Sequence, residues 1–366
     1  MGACVPPQNP YALNAPGSAP PMPTPAGKRM AILVPLTGGS ADVGTSLLRG
    51  AQLALDQKAG GPPLDSKDTG GTAVGAARAA REAIQSGAGI ILGPLTAGET
   101  GAVAPIAREA GVPVLAFTSD RAMAQPGVWT MGITPAQQVR TLLAALRAEN
   151  KTRLAAVLPS NAFGDALADG LAEATAALGA PPAQIVRFDN NLGSLETALK
   201  QVAGPDPTAP PPVDALLLGT SADLTVQAIP LLGRDGLGPD RIQILGTTLW
   251  GRDAARLSGL SGAWYEAPDP QVRAAFEGRY RSRYGGPPRD FASIAFDSAG
   301  AARATATADG FNPNLLTRPD GFAGADGVFV LLPDGRVRRG LALFEIGPTG
   351  ARVRQPGPRS LTAPGV

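Results

Sequence analysis

Short polar loops at the carboxyl ends of apolar runs carry the groups that would hold a small polar ligand. They are Thr37, Gly38 and Ser40, then Thr96 and Ala97, then Thr118, Ser119 and Asp120, then Asn161 and Phe163, then Thr220, and finally Thr247. Hydroxyl and amide groups donate to a carboxylate, and an acidic side chain offsets an ammonium that would otherwise be buried unpaired at high cost. Asp120 is the one acid in the set. The chain has no histidine, which excludes Ser-His-Asp and Cys-His nucleophile systems and His-ligated metal sites. It also lacks a nucleophile elbow and a phosphate loop. The chemistry expected is binding rather than catalysis, with no cofactor and no metal.

Each of these residues also has a structural role open to it. Thr37 and Ser40 suit the cap of the helix that follows them, and Thr96 and Thr100 suit the next one. Asp120 precedes Arg121 and fits an Asx turn or a surface pair. Asp165 suits a cap or a solvated position. Trp129, Trp250 and Trp264 are of a size to stack on a ligand or to fill a core.

The elements that must position these loops alternate along the chain. Met30 to Val34 is a continuous apolar run, the mark of a strand buried on both faces, and 47–56 has helical apolar spacing. Strand signals follow at 63–68, 89–92 and 113–117, with helix signals at 72–86 and from the loop after Gly93-Pro94 to about 110. A helix at 135–149 follows, and a second series begins after it. This series has strands at 153–158, 184–189, 213–218 and 243–246, and helices at 166–178, 195–202 and 222–232. Between 204 and 212 five prolines mark an inserted loop. Alternation of this kind predicts an α/β fold of two Rossmann-like lobes with parallel sheets and a cleft between them.

With 366 residues, 44% of them hydrophobic, the chain exceeds the usual size of one compact domain. The net charge of +2 is dispersed, with no basic run, so no nucleic-acid partner is expected. The single cysteine, Cys4, follows Met1-Gly2-Ala3 and precedes a Pro-, Ala- and Gly-rich segment to residue 27 whose composition cannot bury a core. This pattern resembles the end of a bacterial lipoprotein signal, in which the cysteine is acylated. It implies a lipid-anchored periplasmic protein, held to a bacterial membrane, expected to be the outer one, through a disordered tether at 1–27. No run of apolar residues is long enough to span a membrane.

Pro35-Leu36-Thr37-Gly38, Gly50-Ala51-Gln52-Leu53-Ala54, Asp68-Thr69-Gly70-Gly71, Ile90-Ile91-Leu92-Gly93-Pro94-Leu95 and Ala110-Gly111-Val112-Pro113-Val114-Leu115 occur in an order that resembles the type I periplasmic binding proteins of the leucine-binding kind. Arg279-Tyr280, Tyr284-Gly285-Gly286-Pro287 and Ala295-Phe296-Asp297-Ser298-Ala299 resemble the helix pair in which that family's chain returns to its first lobe. The resemblance runs over about residues 28–350. It implies lobes joined by three crossing segments and closing on a ligand by a hinge. The first lobe is expected at 28–150 plus about 266–320, the second at 151–265 plus about 321–350, and a flexible tail at 351–366.

The family's amino-acid site is altered here. Where its transporters carry a carboxylate-binding serine, this chain has Ala97 beside Thr96. A tyrosine before glycine becomes Phe163-Gly164, and an acidic position reads Gly246-Thr247-Thr248. The segment from Val114 to Arg121, with Gly127 to Pro135 and Gln137-Gln138-Val139, resembles the penicillin-binding-protein activator lipoproteins. That resemblance implies a non-enzymatic regulator whose partner is a peptidoglycan synthase. The alternative is a transporter's substrate-binding component for branched-chain amino acids or another small solute, with a membrane permease as partner.

Overall fold

The computed structural model describes residues 27–56 and 62–361. The first sheet is built from β1 (Arg29–Val34), α1 (Ala41–Leu55), β2 (Leu64–Asp68), α2 (Ala73–Gln85), β3 (Ala88–Leu92), α3 (Ala97–Glu109), β4 (Val114–Ala116) and β5 (Val128–Thr130). Its strands are all parallel, in the order β2-β1-β3-β4-β5. β1 and β3 are apolar and almost wholly buried, as central parallel strands with helices on both faces must be. β2 carries Asp65, Lys67 and Asp68 at the sheet edge, where charge discourages pairing with another chain.

The second series is α4 (Pro135–Ala148), β6 (Leu154–Pro159), α5 (Ala162–Leu178), β7 (Gln184–Phe188), α6 (Leu192–Ala203), β8 (Ala215–Leu218), α7 (Ala222–Arg234), β9 (Gln243–Leu245) and β10 (Trp264–Ala267). The strands β7-β6-β8-β9-β10 repeat the order of the first sheet. α4 begins with a capping box, Thr134 with Gln137, and with Pro135 in its first turn, so the chain re-enters helix immediately after leaving the first lobe. Between β9 and β10 lies a 3-10 segment, Thr248–Leu260, with kinks at Asp253 and Leu257.

The remainder is α8 (Pro270–Tyr284), α9 (Ala292–Ala304), β11 (Ala306–Thr307), β12 (Gly310–Phe311), β13 (Phe322–Gly324), β14 (Gly327–Leu331), β15 (Val337–Arg339), β16 (Ala342–Gly347) and β17 (Gly350–Gln355). α9 lies against α1, and Ile294, Ala295 and Ala299 join the core of the first lobe. Gly50 permits this close approach: a Cβ there would stand 2.2 Å from the Ala292 carbonyl oxygen. β16 and β17 are antiparallel and extend the second sheet beyond β10, making it mixed at that edge.

The chain crosses between lobes three times, at 131–134, 268–269 and 340–341. The boundaries correct the sequence reading in three places. α4, expected within the first lobe at 28–150, follows the first crossing and packs through Val139, Leu142, Leu143 and Leu146 into the second lobe's core, because its apolar face meets α5 and the second sheet. Phe322, Phe329, Leu331 and Val337 pack into the first lobe's core, so 322–339 belongs with the first lobe and only the strands after 340 with the second. Residues 351–355, expected as tail, complete β17, because β16 needs an outer partner for its backbone groups. Cys4 with its tether to residue 26, and the last five residues, lie outside the described residues. Among the described residues no helix is long and apolar enough to cross a membrane.

Candidate functional site

Strand order reverses between β1 and β3 in the first sheet and between β6 and β8 in the second. Loops diverge at such a point and leave a crevice at the carboxyl ends of the strands. The loops at 35–40, 93–97, 159–161 and 219–221 flank these two points, and those at 117–120 and 246–248 follow the next strand in each sheet. Arg252, after β9, pairs with Asp290, just before α9, at 2.7 Å, so the two ends face each other. Both partners are mostly exposed, and such a pair contributes less than about 1 kcal/mol.

On the first lobe, Thr37 Oγ1 donates to Asp68 Oδ2 at 2.6 Å, and the same carboxylate accepts the backbone N–H groups of Leu36, Thr37 and Gly70. Thr37 therefore anchors the loop to β2 and makes no cap. Gly38 takes φ of 81°, which lets the chain turn over the sheet. Ser40 occupies the cap position of α1 without a side-chain bond to it. Thr96 forms a capping box with Glu99, and Ala97 stands at the first position of α3 with no side-chain donor to offer; Thr100 bonds back to the Thr96 carbonyl oxygen. Thr118 Oγ1 accepts from Asp120 N at 3.0 Å, and Asp120 Oδ1 accepts from Ala122 N at 2.9 Å. Asp120 thus caps the short 3-10 turn Arg121–Met123. Ser119 is exposed, and its hydroxyl, like that of Ser40, has no protein partner among the described residues.

On the second lobe, Asn161 caps α5 by accepting from Gly164 N at 3.0 Å. Phe163 packs against the core formed by α4, α5 and the sheet. Thr220 is buried and shares a 2.6 Å hydroxyl contact with Thr225, while its carbonyl oxygen accepts from Trp250 Nε1. Thr247 is buried and accepts from Leu249 N. Trp129, Trp250 and Trp264 are all buried, and they serve as packing elements. Asp165 pairs with Arg187 at 2.9 Å.

Two acids outside the candidate set shape these walls. Asp68, led by the Thr37 hydroxyl, has its pKa lowered from 3.8 to about 2. The folded value lies below the unfolded one, so its stabilisation is present above about pH 4 and is lost as pH falls toward about 2. Asp68→Asn is expected to cost on the order of 1 kcal/mol at neutral pH after solvent screening, in urea unfolding, with the gap to the natural chain narrowing below about pH 4. A gap independent of pH would refute this. Glu266, on β10, is fully buried, and burial holds its carboxyl well above the ordinary range. Its Oε1 accepts from Thr248 N at 3.2 Å, a donor it shares with Gln138 Oε1 at 3.3 Å. Asp68 carried a signal in the sequence, an acid at a strand end before Thr-Gly-Gly; Glu266 carried none.

Most side chains at the candidate positions are thus committed to caps, anchors or core. The loops offer a ligand the hydroxyls of Ser40 and Ser119 and the backbone, and the one acid among the candidates, Asp120, is exposed with one oxygen taken by its cap. Among the described residues no group of three acidic, Cys or His side chains is placed to hold a metal.

The sequence pattern of a family described as periplasmic binding protein matches residues 29–351. Among solved structures, a putative branched-chain amino acid ABC transporter from Rhodospirillum rubrum is similar, with a TM-score of 0.73 at 19% identity, over 89% of this chain and 99% of the other. LivJ of Streptococcus pneumoniae, a substrate-binding protein in complex with isoleucine, aligns with a TM-score of 0.60 at 19% identity, over 90% and 100%. The C-domain of LpoA from Haemophilus influenzae, a regulator of PBP1A, aligns with a TM-score of 0.71 at 15% identity, over 89% and 99%. No curated protein matches. With two lobes, three crossings and a matching pattern from residue 29 to residue 351, the chain belongs to the periplasmic binding protein family.

Proposed function

We propose that this chain is a non-enzymatic, lipid-anchored periplasmic protein that regulates peptidoglycan synthesis by contact with a penicillin-binding protein. The observation that carries the reading is the commitment of most candidate side chains to caps, anchors and core, with Ala97 and Phe163 lacking a side-chain hydroxyl. A free amino acid entering the cleft would find no side-chain hydroxyl at Ala97 or Phe163 for its carboxylate, and a single exposed carboxylate, already accepting a backbone N–H, for its ammonium. Similarity to the LpoA C-domain supports the same reading at the level of fold, and Cys4 supplies the anchor. Pull-down from membranes with the tagged native protein, followed by an assay of synthase activity, tests it: recovery and stimulation of a synthase are expected, and recovery of none with no stimulation would sink it.

The second reading is a transporter's substrate-binding component that works with a membrane permease. The exposed, unpartnered hydroxyls of Ser40 and Ser119 favour it, as does the likeness to LivJ. Thermal unfolding with branched-chain amino acids, amides and sugars separates the two. A true ligand at 100 times its dissociation constant adds about 2.7 kcal/mol, whereas the regulator reading expects a flat response.

A further inference from the structure

Beside the first crossing, three guanidinium groups from three segments converge on one carboxylate, with a fourth, Arg338, close to Arg140. Glu173 on α5, in the second lobe, pairs with Arg121 of the first lobe, with Arg336 at 3.1 Å and with Arg140 on α4 at 3.4 Å. Arg336 also holds Asp334 at 2.6 Å. Arg336 and Arg338 ride on the β14–β15 hairpin, which docks on β5 through Thr130 N to the Gly335 carbonyl oxygen at 3.2 Å and Trp129 Nε1 to the Leu332 carbonyl oxygen at 2.7 Å. The cluster therefore spans both lobes.

Four cations face two carboxylates there, an excess of two positive charges. Arg338 makes no side-chain bond among the described residues, and its Nε is shielded from water without a partner. Burial lowers the pKa of Arg140, Glu173 opposes that, and the neighbouring Arg338, Arg336 and Arg121 lower it further, a sign of uncompensated like charge. Arg121, Arg140, Arg336 and Glu173 nevertheless keep between 31% and 40% of their side-chain surface exposed, so an ion can reach them.

We propose that these arginines bind a doubly charged oxyanion of the phosphoryl type, held between the lobes next to Glu173. Guanidinium forks match the paired oxygens of such an anion. Convergence of several forks on one point suits a compact ion better than an extended acidic chain. The anion would offset the charge excess and tie α4, the hairpin and the Arg121 turn together across the crossing. This inference is independent of the synthase reading, since its test involves no synthase.

The test is calorimetric titration of inorganic phosphate into the full chain at constant ionic strength, with chloride as the competing ion. Saturable binding is expected, and Arg338→Gln and Arg140→Gln should each weaken it about tenfold or more, the loss of a charge-assisted contact of about 1.4 kcal/mol. Glu173→Gln removes the resident carboxylate and should tighten binding about threefold, a gain that misfolding cannot imitate. Arg49→Gln, on α1, should leave binding unchanged. Vesicles of phosphatidic acid distinguish a headgroup from free phosphate: retention on vesicles that phosphate displaces assigns the same site to the headgroup. No saturable phosphate binding, or equal affinity in the arginine and Glu173 variants, would overturn the proposal.

Discussion

Asp297→Ala is expected to destabilise the protein by about 3–5 kcal/mol, because it leaves a guanidinium buried without its counter-ion. Asp297 on α9 and Arg339 at the end of β15 have no exposed side-chain surface and meet at 2.5 Å. Asp297 Oδ1 also accepts from Ala325 N at 2.5 Å, and Arg339 Nη2 donates to the Met131 carbonyl oxygen at 3.4 Å. The pair thus joins α9, the β13–β14 turn, the first crossing and the start of the third. Burial pushes the Asp297 carboxyl up, to about 6, against the pull of Arg339. That makes the two partners unequal. Without Arg339 the acid can take a proton and become neutral, but without Asp297 the guanidinium stays charged at any accessible pH. Arg339→Met should therefore cost less than Asp297→Ala, and Asp297→Asn, which keeps an acceptor for Ala325 N, should fall between the natural chain and the alanine variant. Asp326 cannot fully substitute, since Ser293 and Arg273 already hold it. Urea unfolding of the three variants checks the order; a loss under about 1 kcal/mol for Asp297→Ala would mean that water reaches the pair.

The alternation of strand and helix was legible as far as 246 because most elements there are apolar runs or amphipathic helices, and the polar edge strand β2 falls between two of them. Beyond that point the signal fades for physical reasons. β10 to β17, and β5 before them, are short strands without a helix signal on each side to frame them, and they are held by distant partners, as Trp264 is by Glu345. The kinked segment Thr248–Leu260 lacks an uninterrupted helical face. Caps at the candidate site were readable, since Thr96 with Glu99 and Asp120 before its turn follow known spacings. That Ser40 makes no such bond, and that Thr37 turns to Asp68 instead, depends on a neighbouring strand that local spacing does not encode. The arginine cluster around Glu173 was invisible for the same reason: its members are scattered from 121 to 338, and only the fold brings them together.

Glu266→Gln is expected to stabilise the protein progressively as pH rises. The carboxyl sits on the last strand before the second crossing, fully buried, with Oε2 lacking any partner. Burial raises its folded pKa above the unfolded value of about 4.3. The native state then binds a proton that the unfolded state releases, so the stabilising contribution is complete below the unfolded value and is lost as pH climbs toward the folded one. Each pH unit in that window removes up to about 1.4 kcal/mol from the natural chain and nothing from the glutamine variant. Denaturant midpoints should coincide near pH 4 and diverge steadily above it, with the variant the more stable; a constant difference across pH would show that the acid is ionised in the fold. The sign bears on function as well. Glutamine keeps the acceptor that Thr248 N uses, so the loop after β9 should hold its shape in the variant. A neutral Glu266 gives that wall no charge to set against an ammonium. If an amino acid did bind there by drawing on this residue, binding would release a proton, and the buffer dependence of its binding heat would disappear in Glu266→Gln. The regulator reading expects no such proton release from either protein.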